Sequence, residues 1–186
     1  SFIKNNLVDI IVFEDYDKGV ITHELIQKVV SEANKKKIPV AVDPKKKNFS
    51  FYKNITLFKP NLKELYEGIK TNSSLTNTKM LSKIANELCA KQKIKNILIT
   101  LSEKGMFVVN KKISQIIPAH IRNIADVSGA GDTVISVASL GLAIKLDIIL
   151  ATKLANIAGG LVCEKVGVAP IDKEQFLQES ISLLTK

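Results

Sequence analysis

One glycine-rich stretch constrains the chain most: residues 125–134 read Ala-Asp-Val-Ser-Gly-Ala-Gly-Asp-Thr-Val and run directly into an apolar helical pattern. Gly129 and Gly131 allow backbone dihedral angles closed to other residues, so consecutive N–H groups of a turn and a helix N-terminus can converge on an anion. Beside this glycine turn (residues 128–131), Asp132 can take a proton from a hydroxyl group that attacks a bound phosphoryl group. The stretch therefore predicts phosphoryl transfer. The simpler alternative is a helix entered through a glycine turn, with Asp132 favourable to the helix dipole.

Other nucleotide-binding motifs are absent from the sequence. The chain contains no G-x-x-x-x-G-K-S/T string, no G-x-G-x-x-G string after an apolar run, and no pair of H-R-D and D-F-G strings. Those strings build the phosphate sites of P-loop proteins, dinucleotide-binding proteins and protein kinases. The sequence thus excludes these three classes and leaves the glycine turn as the candidate phosphate site.

Short apolar runs alternate with helical patterns along the chain. Runs typical of buried parallel strands occupy residues 8–13, 39–43, 55–58 and 96–101. Helical patterns begin near Thr22, Asn61, Thr78, Asp147 and Asp172, and after Gly131. Residues 106–110 and 113–118 predict a hairpin, and residues 71–77 a polar loop. The pattern predicts one α/β domain over residues 1–186, with a parallel-rich sheet and helices on both faces. The helix after Gly131 is apolar on nearly all sides, which predicts burial between layers.

The composition narrows the class of partner. The chain carries 27 Lys and Arg against 18 Asp and Glu, a net charge of +9, but Arg122 is its single arginine. Lysines spread over helices and turns, without interleaved aromatic residues, argue against a nucleic-acid interface. No apolar run approaches the ~20 residues that span a bilayer, so we expect no membrane association and a cytoplasmic location. Cys89 and Cys163 belong to no Cys-x-x-Cys string, and no cluster of histidines accompanies them in the sequence, which favours buried, unpaired thiols.

Several segments carry a resemblance to a known family. The string D-x-S-G-A-G-D-T at residues 126–133 closely resembles the C-terminal signature of the ribokinase-like (PfkB) carbohydrate kinases. The segments EDYDKG at 14–19, DPK at 43–45, KPNLKE at 59–64 and TLSEKGM at 100–106 follow the order of the same family. Together they look most like the kinase domain of heptose-7-phosphate kinase and ADP-heptose synthase proteins. The resemblance covers nearly the whole chain.

The resemblance implies a fold and an activity. The expected fold is the ribokinase-like three-layer sandwich. The expected reaction transfers the γ-phosphoryl group of ATP to a sugar hydroxyl, with heptose 7-phosphate as acceptor, Mg²⁺ as cofactor and K⁺ as a further candidate. Another sugar or nucleoside kinase, or a non-catalytic nucleotide-binding module, remains an alternative.

The resemblance also implies which residues act on the phosphates. Asp132 is the expected base, and the N–H groups of Gly129, Ala130 and Gly131 would stabilise charge on the transferred group. Lys59 is a candidate phosphate contact. The Asn61 and Glu64 pair would place Mg²⁺ through water, although the same two residues also match a helix capping box.

Further site residues follow from the resemblance alone. Thr100, Ser102 and Gly105 would lie beside the ribose of the nucleotide. Many relatives have glycine at the position of Ser102. The helix that carries Asn156 would line the adenine pocket, unless its small residues serve close helix packing instead.

Two pairs complete the predicted site. Asp15 and Lys18 follow the first strand and are expected to face the substrate, the alternative being a solvated turn. Asp126 and Ser128 match positions at which several relatives bind a monovalent cation. The resemblance further implies that the N-terminal sugar-binding segments and the lid lie outside this chain. We therefore expect the chain to hold the nucleotide half, to be inactive alone, and to come from a homodimeric parent.

Overall fold

A computed structural model of the chain describes residues 2–70 and 77–185. In these two ranges, one sheet contains β1 (Ile11–Glu14), β2 (Val40–Asp43), β3 (Leu57–Phe58), β4 (Asn96–Thr100), β5 (Met106–Val109) and β6 (Ser114–Ile117). The helices are α1 (Phe2–Asn5), α2 (His23–Lys35), α3 (Leu62–Ile69), α4 (Thr78–Gln92), α5 (Ala130–Ala143), α6 (Ile148–Cys163) and α7 (Lys173–Leu184). A single 3₁₀ turn spans Ser102–Lys104. Most of the polar loop predicted at residues 71–77 lies outside the described residues.

The strands lie side by side in chain order, from β1 to β6. β1 to β4 pair in parallel, and β5 and β6 add an antiparallel hairpin to β4. This arrangement confirms the predicted parallel-rich sheet and the hairpin. β1 begins at Ile11, later than the predicted residue 8, because its partner strand begins only at Val40, which pairs with Ile11.

Alternating side chains place a core on each face of the sheet. Val42 and Ile99 point to the face covered by α2, α3 and α4, whereas Ala41 and Leu98 point to the face covered by α5 and α6. Successive residues of a strand point to opposite faces, so a strand that is apolar at every position must be covered on both sides. The two cores confirm a three-layer α/β sandwich.

Polar residues begin the helices largely where the sequence predicts. Thr22, Asp147 and Asp172 accept hydrogen bonds from backbone N–H groups in the first turns of α2, α6 and α7. Asn61 and Glu64 form a complete capping box at α3. Such caps stabilise a helix by about 1 kcal/mol each. The capping alternative for the Asn61 and Glu64 pair is therefore confirmed.

α5 differs from its prediction in two respects. Gly129 has the expected left-handed backbone, with φ of 77°, but the helix begins at Ala130, so Gly131 has an ordinary helical backbone inside the first turn. Burial on all sides was wrong: the Leu140 side chain is 64% exposed. α5 packs against α6, where Gly141 approaches Ala151, and against β1 and β2, whereas the side that carries Leu140 is open.

No helix in the described ranges is long and apolar enough to cross a membrane. Cys89 and Cys163 are buried and free, as predicted.

Candidate active site

The carboxyl ends of the parallel strands and the N-terminus of α5 meet at one edge of the sheet. β2 ends at Asp43, and Lys59 directly follows β3. A Cβ atom added to Gly131 would lie 3.5 Å from Lys59 Nζ and 3.9 Å from Asp43 Oδ2. The Asp132 carboxylate, in the first turn of α5, contacts Tyr16, which follows β1. Open α/β sheets bind their ligands at this edge, so we assign the candidate active site here.

The glycine turn presents two unpaired N–H groups. Ala130 N–H donates to Val127 O at 3.2 Å, so one of the three predicted anion donors is already used inside the chain. The N–H groups of Gly129 and Gly131 have no acceptor in the described part of the protein. Unpaired N–H groups at a helix N-terminus bind anions well. The turn therefore has the donors expected of a phosphate site.

Asp126 holds the glycine turn in place. Its Oδ1 accepts hydrogen bonds from Ser128 N–H at 3.0 Å and Ser128 Oγ at 2.8 Å, and its Oδ2 accepts one from Gly167 N–H at 2.9 Å. The Ser128 N–H contributes most to lowering the pKa of Asp126, and the Gly167 N–H adds to it. The Asp126 carboxylate thus links the glycine turn to the turn that contains Gly167. The monovalent cation predicted at Asp126 and Ser128 stays a prediction.

Tyr16 contacts the candidate base, a contact that no sequence pattern predicted. The Tyr16 hydroxyl donates a hydrogen bond of 2.7 Å to Asp132 Oδ2. This bond is the main cause that raises the pKa of Tyr16 to about 12, with burial and the charges of Asp132, Glu14 and Asp43 adding to it. Tyr16 lies inside the 14–19 segment that resembles the kinase family, but nothing in the spacing indicates a contact across 116 residues.

A buried ion pair lies under the glycine turn. Lys59 Nζ is 3.0 Å from Asp43 Oδ2, and the two residues are only 3% and 8% exposed. Burial raises the pKa of Asp43, and the nearby charge of Lys59 opposes that shift. Asp43 Oδ1 has no hydrogen-bond partner within residues 2–70 and 77–185. Buried charges are rare without a role, and here the ammonium group is positioned to meet an anion bound at Gly131.

Asn61, Glu64 and Lys45 form a second polar group at the start of α3. Asn61 N–H donates to Glu64 Oε2 at 2.8 Å, Glu64 N–H donates to Asn61 Oδ1 at 2.8 Å, and Lys45 pairs with Glu64 Oε1. Burial lowers the pKa of Lys45, but the hydrogen bond and charge of Glu64 outweigh burial and raise it overall. Lys45 was not predicted as a site residue, although it ends the DPK segment. The placement of Mg²⁺ by Asn61 and Glu64 stays a prediction.

The residues predicted to lie beside the ribose are found at the end of β4 and on the tight turn that follows it. Ser102 has a left-handed backbone with φ of 53°, which explains why glycine suits this position. Gly105 has φ of 89°, and a Cβ atom there would lie 2.2 Å from Ile117 O. Gly105 is therefore required by the close approach of the chain after β6. Thr100 ends β4 and forms a bridge with Asn61, which joins this turn to the start of α3.

The small residues of α6 serve close packing. A Cβ atom on Gly159 would lie 2.7 Å from Val134 Cγ2, and one on Gly160 would lie 2.5 Å from Arg122 Nε. Close packing, the alternative left open for these residues, is therefore confirmed. Asn156 is 8% exposed and donates from Nδ2 to Pro118 O at 2.7 Å. Its predicted role in the adenine pocket stays a prediction.

The structure separates the two predicted substrate residues. Asp15 is 3% exposed, and its Oδ2 accepts hydrogen bonds from Asn48 Nδ2 at 2.8 Å and Tyr52 OH at 2.7 Å. Such a carboxylate is bound by the protein itself, so a direct contact between Asp15 and a substrate has no geometric support. Lys18 is exposed on the turn after β1. Asp15 thus supports the turn that carries Tyr16, and Lys18 remains the predicted substrate contact.

The described part of the chain contains neither a cluster of side chains that could hold a metal ion on its own nor an activated thiol. No group of three or more His, Cys, Asp or Glu side chains there could hold a metal ion. Burial raises the pKa of the Cys89 thiol to about 11, so the nucleophilic thiolate is scarce near neutral pH.

An open, parallel-rich α/β sheet with a glycine turn and a carboxylate at the carboxyl ends of its strands is typical of ribokinase-like kinases, and comparisons with known proteins agree. The family described as pfkB family carbohydrate kinase matches residues 6–174. The chain is 40% identical over 169 residues to the Bifunctional protein HldE of Koribacter versatilis, covering 91% of this chain and 34% of that protein. It is 35% identical over 179 residues to the protein of the same name from Syntrophotalea carbinolica, covering 95% and 36%.

The chain belongs to the pfkB family of carbohydrate kinases. It spans about a third of the length of these relatives. Among solved structures, a point mutant of Escherichia coli phosphofructokinase-2 superposes with a TM-score of 0.82 at 23% identity, covering 95% of this chain and 57% of that one. A ribokinase from Thermotoga maritima superposes with a TM-score of 0.65 at 19% identity, covering 82% and 53%. These neighbours confirm the ribokinase-like fold. Another structure of the Escherichia coli enzyme is in complex with potassium.

Proposed function

We propose that this chain is the nucleotide-binding part of a kinase that transfers the γ-phosphoryl group of ATP to a sugar hydroxyl. The observation that carries the proposal is the convergence at one sheet edge of the Asp132 carboxylate, the Lys59 ammonium group beside Gly131, and the unpaired N–H groups of Gly129 and Gly131. A base, a cation and N–H donors around one anion site are the parts that phosphoryl transfer needs.

Each group has a distinct part in the proposed reaction. Asp132 takes the proton of the acceptor hydroxyl as the acceptor oxygen attacks the γ-phosphorus atom. Lys59 and the unpaired N–H groups of Gly129 and Gly131 stabilise the negative charge that develops on the transferred group, while the bond to ADP breaks. Asp43 holds the Lys59 ammonium group at this position through the 3.0 Å ion pair.

The residues at the site fit a hydrated divalent ion. Mg²⁺ prefers oxygen ligands, retains several waters and binds through few protein carboxylates together with phosphates. The Glu64 oxygens already bind Asn61 N–H and Lys45, so Glu64 and Asn61 would act through the waters of the ion, and Asp43 Oδ1 is an acceptor without a partner among the described residues. Mg²⁺ bound with ATP would neutralise phosphate charge there. A monovalent cation at Asp126 and Ser128 belongs to the same proposal, with K⁺ as the candidate.

We propose heptose 7-phosphate, phosphorylated at the anomeric hydroxyl, as the acceptor, which belongs to the synthesis of ADP-heptose. The support is the resemblance of the segments at 14–19, 43–45 and 59–64 to heptose kinases, together with 35–40% identity to proteins named HldE. The exposed Lys18 would contact the sugar phosphate. Another sugar or a nucleoside is the alternative acceptor.

The sugar site is proposed to be completed by segments outside this chain. β1 lies at an open edge of the sheet, and Val12 on β1 and Leu140 on α5 expose apolar surface that such segments could cover. The chain also spans only 57% of a related single kinase chain. We call the whole protein, with those segments, the full-length kinase, and propose that it is a cytoplasmic homodimer. The 186-residue chain alone should then bind ATP but phosphorylate no sugar.

The acceptor assignment is tested by assays on the full-length kinase. Initial rates would be measured with Mg²⁺ and ATP and, in turn, heptose 7-phosphate, fructose 6-phosphate, ribose and adenosine. We expect kcat/KM to be highest for heptose 7-phosphate by at least about 100-fold, because a site built to hydrogen-bond the hydroxyl groups and the 7-phosphate of this sugar leaves polar groups unpaired with the other acceptors. A higher value for another acceptor replaces heptose 7-phosphate. ATP consumption by the isolated chain that depends on sugar would contradict the division of the site.

A further inference from the structure

Packing in the core does not account for the hydrogen bond between Tyr16 and Asp132. The Tyr16 side chain is 55% exposed, so packing in the core does not force its hydroxyl toward Asp132. The donor and acceptor lie on different elements, the turn after β1 and the first turn of α5, and are 116 residues apart in the chain. A contact of 2.7 Å between such elements, at the candidate base, suggests a part in the reaction.

Hydrogen bonds anchor the backbone next to Tyr16 although its ring is exposed. Glu14 pairs with Asp43 in the sheet, and Asp15 N–H donates to Asp43 O at 3.1 Å, so the strand pairing continues to the residue before Tyr16. The buried Asp15 carboxylate then receives hydrogen bonds from Asn48 and Tyr52. Tyr16 therefore directly follows an anchored part of the sheet, and its hydroxyl can hold the Asp132 carboxylate in one orientation.

A carboxylate base must present one particular oxygen to the hydroxyl that it deprotonates. Oδ2 of Asp132 is bound by Tyr16, whereas no residue of the described ranges hydrogen-bonds to Oδ1. Because the terminal torsion of an aspartate side chain is soft, a second contact is needed to hold the carboxylate plane. A phenol is protonated at physiological pH and can donate, and the hydrogen bond to Asp132 is the main cause that raises the pKa of Tyr16 to about 12.

We propose that Tyr16 is a positioning residue that binds Oδ2 of Asp132 and thereby aims Oδ1 at the acceptor hydroxyl. The inference rests on the proposed phosphoryl transfer. In that step the acceptor oxygen forms the bond to the γ-phosphorus atom, the bond to the bridging oxygen of ADP breaks, and the acceptor proton goes to Asp132 Oδ1. The phenolic proton of Tyr16 stays on its oxygen throughout.

Kinetics of Tyr16→Phe in the full-length kinase test the proposal. The variant keeps the ring and removes only the hydroxyl. We expect kcat to fall about 10- to 100-fold, as small misplacements of a reacting group do, with the KM for ATP unchanged. In an Asp132→Asn background, Tyr16→Phe should cause no further loss, because Tyr16 acts through Asp132. Val20→Ala, which trims an exposed side chain of the same turn, is the control and should keep the wild-type kcat.

A second measurement does not depend on turnover. In the 186-residue chain with ¹³C-labelled tyrosine, NMR would follow the titration of Tyr16, whose signal is assigned with Tyr16→Phe, and Tyr66→Phe serves as the control. We expect a midpoint near 12 in the wild type and one closer to the ordinary value of 10 in Asp132→Asn. The charges of Glu14 and Asp43 also face Tyr16, so part of the shift should remain.

The outcomes separate the possible roles. Wild-type kcat in Tyr16→Phe overturns the proposal and leaves the kinase assignment intact. A lower KM for the sugar with unchanged kcat also overturns it, since it would identify Tyr16 as a plug that competes with the acceptor. An unmoved Tyr16 midpoint in Asp132→Asn overturns the contact itself. If the wild-type kinase turns over no acceptor, the proposed function fails, and the positioning role fails with it even if the titration confirms the contact.

Discussion

Gly131 offers a substitution whose effects on stability and on binding should have opposite signs. The residue lies in the first turn of α5 with an ordinary helical backbone. A Cβ atom there would lie 3.5 Å from Lys59 Nζ and 3.9 Å from Asp43 Oδ2, which are ordinary contact distances. Alanine is favoured over glycine in a helix by about 0.5–1 kcal/mol. For a domain of this size, Gly131→Ala should raise Tm by about 1–4 °C.

The same Cβ atom should weaken nucleotide binding. It would occupy the space beside Lys59 Nζ into which a phosphate oxygen must come to contact the ammonium group and the Gly131 N–H. Loss of one hydrogen bond to a charged group costs about 1.5–3 kcal/mol. The Kd for ATP with Mg²⁺ should therefore rise about 10- to 150-fold.

Calorimetric titration with ATP and thermal unfolding would measure both effects on the same samples. Gly129→Ala is the matched control: its backbone φ of 77° strains any side chain, so this variant should lose about 1–2 kcal/mol of stability. Wild-type affinity in a stabilised Gly131→Ala protein would refute the phosphate site at this turn. A lower Tm for Gly131→Ala would refute the geometry assigned to Gly131.

Three further predictions concern charge. Lys59→Met should lower the free energy of unfolding by about 3–5 kcal/mol at neutral pH, because it leaves the Asp43 carboxylate buried without its partner. Since burial raises the pKa of Asp43, protonation of Asp43 should shrink this loss as pH is lowered. Urea unfolding at several pH values would measure the loss. The hydrogen bond from Arg122 lowers the pKa of Glu179 below its ordinary 4.5, so this contact stabilises the fold above that value and is lost as pH falls through the lowered pKa. The Tm difference between wild type and Glu179→Gln should therefore vanish in acid. Duplex DNA should bind weakly and lose affinity steeply with salt, unlike ATP; tight, salt-resistant binding would contradict the enzyme assignment.

Much of the fold could be predicted because the interactions that define it involve residues close together in the sequence. Helix caps such as Asp147 and Asp172 act on the N–H groups of residues two or three positions ahead, so the sequence contains both partners. Strand alternation is equally local, because the direction of each side chain follows from its position along the strand. The glycine turn was predictable for the same reason, since Gly129 and Asp132 are neighbours in the chain.

The site beyond that turn depends on contacts that no local pattern contains. Asp15 follows a strand in a charged turn, which is typical of a solvated residue, yet its partners Asn48 and Tyr52 lie 33 and 37 residues away and bury it. Tyr16 meets Asp132 across 116 residues. Gly131 was expected to need a backbone closed to other residues, but its backbone is helical, and its closeness to Lys59 exists only in the folded chain.

The most direct test of phosphoryl transfer is Asp132→Asn in the full-length kinase, with transfer from labelled ATP to heptose 7-phosphate and ATP binding measured together. The matched control is Asp147→Asn at the start of α6, where asparagine caps a helix as well as aspartate does. We predict that Asp132→Asn loses about 10²- to 10⁴-fold in kcat and keeps its ATP affinity within a few-fold, while Asp147→Asn keeps both. Turnover near the wild-type rate in Asp132→Asn would contradict the account.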